Sequence, residues 1–178
     1  MGKSNFFVKK NDWSRIKDEL LGCYLKLYFQ KVLMTGIPVC YIDSFAGKGM
    51  FDDGEKGSPL IALDLAKEAA ANSRSSNPQI QCFFIEPKYE KELANNVNGS
   101  NAKTINGNYE DEIEGVLKNC AGKNVFLYVD PFGIKSLHFD KFELLNKYKF
   151  KSVEILLNLN SFGFLREGCR LLKFKDFD

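Results

Sequence analysis

The chain has 178 residues, 44% of them hydrophobic, with 25 basic against 23 acidic side chains and a single histidine. This length allows one domain, with a core large enough to fold without disulfide staples. The near-neutral charge excludes a strongly basic nucleic-acid module while leaving room for a local basic face, and the lone histidine excludes a zinc site built on several imidazoles.

Residues 1–11 are polar and basic and read as loose. From Asp12 to about Met34 the pattern is helical: Trp13, Ile16, Leu20, Tyr24 and Leu27 recur every three or four residues, and Leu21, Tyr28 and Val32 widen the stripe. The stripe predicts a helix docked on the domain through that face. Asn11 or Asp12 is the expected N-cap, and Gly36 and Pro38 end the helix. Residues 1–38 therefore read as a helical extension.

Val39 to Asp43 is a short run of strand formers ending in a glycine-containing turn, and residues 50–57 read as loop. Ser58-Pro59 opens a helix to about Ala71, with Ser58 as N-cap and Pro59 in the first turn. Residues 72–78 form a solvated connector. The order then repeats: a strand from Ile80 to Ile85, a helix from Tyr89 to Val97, a strand over 102–105 and a helix from Glu110 to Asn119. Val125 to Val129 is continuously apolar, as a central parallel strand requires. A helix over 138–148 and a fifth strand from Val153 to Leu157 follow, and Arg166 to Asp178 is charged without a clear element. The alternation predicts an α/β domain over 39–160, with a mostly parallel sheet and helices on both faces, followed by a tail over 161–178.

Five cysteines, Cys23, Cys40, Cys82, Cys120 and Cys169, are scattered and odd in number, which predicts reduced, mostly buried thiols in a cytoplasmic compartment. No apolar stretch has the length of a membrane span.

In open parallel sheets, ligands bind at the carboxyl ends of the strands, so those ends carry the functional reading. The first ends in Asp43-Ser-Phe-Ala-Gly47-Lys-Gly49, where two glycines allow a sharp turn and close approach of backbone to a nucleotide-like ligand. A plain tight turn has the same composition. Gly49 to Gly54 has phosphate-loop spacing, but Glu55 stands before Lys56 and Gly57 before Ser58, so the loop fails that pattern. The second strand ends in Glu86, placed to accept both hydroxyls of a ribose or to open a helix. After the third, Asn108 is placed to bond an adenine edge and Tyr109 to pack on it, or Asn108 to cap a helix. The fourth ends in Asp130-Pro131-Phe132-Gly133. A carboxylate ending an apolar strand asks for a reason, Pro131 frees carbonyl acceptors, and Phe132 can stack on a flat base. An Asp-Pro turn is the structural alternative.

In combination these residues resemble the ordered motifs of class I S-adenosylmethionine-dependent methyltransferases. More closely, the chain resembles the three-Cys-motif partner protein family. The likeness rests on Lys17-x(6)-Tyr24-Leu25, Tyr41-Ile-Asp-Ser-Phe-Ala-Gly-Lys-Gly49, Gly57-Ser-Pro-Leu-Ile-Ala-Leu63 and Asp130-Pro-Phe-Gly133. It covers about residues 12–163, and Gly57-Ser-Pro-Leu-Ile-Ala62 is also similar to bacterial large-subunit rRNA adenine N6-methyltransferases. The resemblance implies a Rossmann-like methyltransferase fold, here with five predicted strands instead of seven and therefore C-terminally truncated. It implies that Asp43, Phe45, Gly47 and Gly49 line the methionine end of S-adenosylmethionine. Glu86 would hold the ribose, Asn108 the adenine, and Asp130, Pro131 and Phe132 would face a methyl acceptor such as a nucleic-acid base amine. It further implies a partner carrying three cysteines. The open fifth strand predicts self-association, and a non-catalytic interaction module on the same fold is the alternative function.

Overall fold

A computed structural model describes residues 5–133, 137–159 and 161–172. Five strands form one all-parallel sheet: β1 (Val39–Asp43), β2 (Ile80–Ile85), β3 (Ala102–Ile105), β4 (Asn124–Val129) and β5 (Ser152–Leu157), in the order β3-β2-β1-β4-β5. The helices are α1 (Asp12–Leu33), α2 (Ser58–Ala71), α3 (Glu90–Asn96), α4 (Tyr109–Asn119), α5 (Leu144–Lys147) and α6 (Ser161–Leu171). The order reverses at β1, which is flanked by β2 on one side and β4 on the other. The α/β class and the parallel sheet with helices on both faces are as the sequence predicts.

β1 and β4 are buried along their whole length, because apolar side chains alternate onto two covered faces. One face places Tyr41, Phe84 and Phe126 against Leu21, Leu25 and Phe29 of α1 and Ala62 and Ala66 of α2. The other sets Ile42, Ile85 and Leu127 against Ile113 and Leu117 of α4. Register places Tyr41 beside Phe126 and Ile42 beside Leu127, so like faces align across the sheet.

Three expectations about the elements are corrected. α1 forms from Asn11, whose side chain accepts from Ser14 N at 2.8 Å, but it docks through the edge of the predicted stripe, Leu21, Tyr28 and Val32, and the residues beside it, not through the stripe's centre. Leu21, Leu25, Tyr28, Phe29 and Leu33 are buried, whereas Trp13, Ile16, Leu20, Tyr24 and Leu27 are exposed. Both rows have helical spacing. The buried row is the one that packs with Ala62 and Ala66 of α2 and with Tyr41, Phe84 and Phe126 of the sheet. In α2 the N-cap is Gly57, and Ser58 Oγ instead donates to Asp43 Oδ2 at 2.6 Å. The helix predicted over 138–148 is a 3-10 turn, Phe139–Glu143, running into the four-residue α5.

Both chain ends also differ from expectation. The predicted tail contains helix α6, whose charged residues Arg166, Glu167 and Arg170 mask an amphipathic spacing; residues 173–178 lie outside the described residues. The predicted loose N-terminal segment contains a 3-10 turn, Asn5–Phe7, that places Phe7 in the interior; residues 1–4 lie outside the described residues. Among the described residues no helix is long and apolar enough to cross a membrane.

Candidate functional site

The carboxyl ends of β1, β2 and β4 open onto a cleft with two adjoining cavities, of about 270 Å³ and about 530 Å³. The turn after β1 forms its floor. Ser44 N donates to Tyr128 O at 3.0 Å and Ala46 N to Ile85 O at 3.1 Å, tying the turn to strands on either side. Gly47 and Gly49 adopt positive φ, 64° and 79°, which side-chain-bearing residues rarely hold. A Cβ on Gly47 would stand 3.0 Å from the Phe7 ring.

The predicted carboxylates are deployed in three different ways. Asp43 is fully buried beneath the turn and lines neither cavity. Its Oδ1 accepts from Phe45 N at 3.1 Å and its Oδ2 from Ser58 Oγ, so it shapes the turn from below. Burial pushes its pKa up to about 7, against the opposing hydrogen bonds from Ser58 and Phe45. Glu86, 3% exposed, lines the larger cavity. Its Oε2 accepts from Gly47 N at 2.8 Å, and its Oε1 from Lys88 N at 2.8 Å and Tyr89 N at 3.0 Å. A carboxylate offers about four acceptor positions, so about one remains for a ligand. Asp130 lines the smaller cavity, where Lys17 Nζ of α1 meets its Oδ2 at 2.5 Å.

The remaining predicted residues separate between the two cavities. Gly47, Gly49 and Pro131 line the smaller one, Asn108 lines the larger, and Phe45 and Phe132 line both. Asn108 is the N-cap residue of α4, yet its side chain makes no capping hydrogen bond. Phe132 is exposed on the lip. The structure therefore brings every predicted site residue except Asp43 onto the cleft wall.

Several wall residues escaped the sequence reading. Phe6 and Phe7 line both cavities, and Phe7 packs edge-on against Tyr89 at 4.9 Å. The segment is strapped down where Asp52 N donates to Phe7 O at 2.8 Å and Lys10 pairs with Asp18 at 2.7 Å. Two adjacent phenylalanines in a polar stretch were the only signal. Lys17 was legible as part of a motif, but its partner is 113 positions away in sequence. Ser44, buried on the wall of the larger cavity, was passed over between Asp43 and the glycines.

Chemically, the larger cavity offers aromatic rings with an acidic acceptor and an amide, and the smaller one offers an ion-paired carboxylate above a glycine turn. That donor set suits an elongated ligand with a flat base at one end and a charged head at the other. It does not suit a metal: no cluster of three or more metal-ligating side chains occurs among the described residues. No family model, curated protein or solved structure matches the chain.

Proposed function

We propose that the chain is an S-adenosylmethionine-dependent methyltransferase of the three-Cys-motif partner type, acting on a nucleic-acid base or a similar amine. The observation that supports this best is the pair of adjoining cavities at the topological switch point, which share Phe6, Phe7, Phe45 and Phe132, with the Gly47–Gly49 turn on the smaller and Glu86 on the larger. The residues fit the cofactor. Glu86 keeps an acceptor position for a ribose hydroxyl, Asn108 spends no side-chain hydrogen bond on capping α4, and Gly47 lines the smaller cavity with the Phe7 ring against it. When bound, the cofactor supplies a methyl group already activated on a sulfonium centre.

The chain's own task is then alignment and exclusion of water. Asp130 accepts a hydrogen bond from the acceptor amine and orients its lone pair. Phe132 offers an exposed ring on which a base can stack. Lys17 holds the Asp130 carboxylate in place. The test is transfer of labelled methyl from S-adenosylmethionine to RNA, DNA and free nucleosides. Label on an amine nitrogen that is lost in Asp130→Ala supports the reading, and parental transfer by Asp130→Ala removes Asp130 from the chemistry.

A second reading is favoured by a separate observation. β5 ends the sheet without a strand beyond it among the described residues, and its Val153 and Ile155 are exposed. An edge of this kind templates pairing with another chain. On this reading the module works through contact with a second copy or with a three-cysteine partner, in a reducing, cytoplasmic setting that suits its free thiols. Tight cofactor binding without transfer to any acceptor, together with concentration-dependent association by light scattering, would select it.

A further inference from the structure

Four hydroxyls are buried without a hydrogen-bond partner among the described residues: those of Tyr28, Tyr41, Ser44 and Tyr109. Folded proteins pair nearly all such groups, so each orphan asks for a reason. Tyr28 and Tyr41 lie in the core beneath α1 and line neither cleft cavity. Ser44 and Tyr109 behave differently. Each is 1% exposed, and both line the larger cavity.

They reach that cavity from separate parts of the chain. Ser44 follows β1 and is anchored by its backbone N–H on Tyr128 O, which leaves its side chain no structural duty. Tyr109 opens α4, with its ring 5.5 Å from that of Phe45, so its packing is supplied by the ring and not by the hydroxyl. Glu86 and Asn108 complete the polar set on the same wall. Neither hydroxyl makes a hydrogen bond that serves the fold among the described residues, and alanine or phenylalanine would occupy the same places without stranding a polar atom.

We propose that Ser44 Oγ and Tyr109 Oη are ligand-binding groups that complete their hydrogen bonds only on a bound nucleoside, and that they select for its ribose hydroxyls and polar base edge. This rests on the reading of the cleft as a cofactor site and adds to it two specificity-determining residues. A site that must satisfy buried hydroxyls rejects an analogue lacking the matching group, because the protein's own polar atoms are then left unpaired. Burial also raises the Tyr109 pKa to about 12, so at neutral pH the phenol keeps its proton and can donate.

The experiment compares the parent chain with Ser44→Ala and Tyr109→Phe, by calorimetric titration with S-adenosylhomocysteine and with adenosine, and by thermal melts without ligand. The expected result is an affinity loss of about tenfold for each variant. The ligand-free Tm should equal or exceed that of the parent, because an unpaired polar atom has been removed. Parental affinity in both variants overturns the proposal, and so does a Tm that falls in step with affinity, since the hydroxyls would then serve the fold. A parent that binds neither compound overturns the cofactor reading and this proposal together. A parent that binds adenosine but not S-adenosylhomocysteine, with the variant losses intact, upholds the two hydroxyls and removes the methyl-donor reading alone.

Discussion

The cleft and the β5 flank are opposite ends of one design. At the cleft the carboxylates are committed: Asp43 to the turn, Glu86 to three backbone N–H groups, Asp130 to Lys17 and Asp18 to Lys10. On the outer row of α1, on β5 and on α6, here called the flank, large apolar side chains stand in solvent: Leu20 and Leu27, Val153 and Ile155, and Phe162 and Leu165. The cleft holds its shape through hydrogen bonds of this kind, one of them from Lys17 of α1. The flank has apolar surface to bury and no element of the described chain to bury it against.

The sharpest way to break the cleft is Glu86→Ala. It strands three backbone N–H groups, at roughly 1–3 kcal/mol each. A loss of more than about 3 kcal/mol in urea unfolding is therefore expected. A loss below about 1 kcal/mol would mean that water replaces the carboxylate and that the turn is not organised by it.

Leu25→Ala should cost about 2–5 kcal/mol, because Leu25 is fully buried between α1 and the sheet. Gly47→Val comes next. A β-branched residue at positive φ carries roughly 1–2 kcal/mol of strain, and its Cβ meets Phe7, so a lower Tm and loss of S-adenosylmethionine binding should coincide. Retained binding at parental affinity would show that the turn does not border the ligand.

Asp43 sharpens the comparison through pH. Its folded pKa is raised to about 7 from an ordinary value near 3.8, so the folded state holds the proton more tightly. Its contribution to stability is therefore complete at low pH and declines as pH rises from about 4 to about 7. The Tm of Asp43→Asn relative to parent should climb across that window and level off above it. A difference that is flat with pH would place the Asp43 pKa near its ordinary value.

The smallest effect belongs to the flank. Leu20→Ala lies on the exposed row of the same helix as Leu25 and should change stability by less than about 0.5 kcal/mol. If the flank mediates association, the same substitution should lower the association constant measured by sedimentation. A stability loss matching that of Leu25→Ala would reverse the assignment of the two faces.

Much of this was legible in the sequence where one signal dominated. Val125 to Val129 has only one reading, a buried strand, and the glycines at 47 and 49 mark a turn that few other residues could make. The face of α1 was only partly legible, because Leu20 and Leu25 both belong to helical rows and only packing against α2 and the sheet chooses between them. α6 was masked by its charges. The role of Asp43 was hidden for a physical reason: a carboxylate at a strand end reads the same whether it faces ligand or backbone, and Ser58 decides which, from 15 positions away.

The central claim, that the cleft is a nucleoside-cofactor site, is tested most directly by titrating S-adenosylmethionine into the parent chain and following heat and Tm together. The account predicts one bound molecule per chain, competition by S-adenosylhomocysteine, and at about a hundred times Kd a stabilisation of about 2.7 kcal/mol, seen as a Tm rise of roughly 5–10 °C. No heat and an unchanged Tm at millimolar ligand would contradict it.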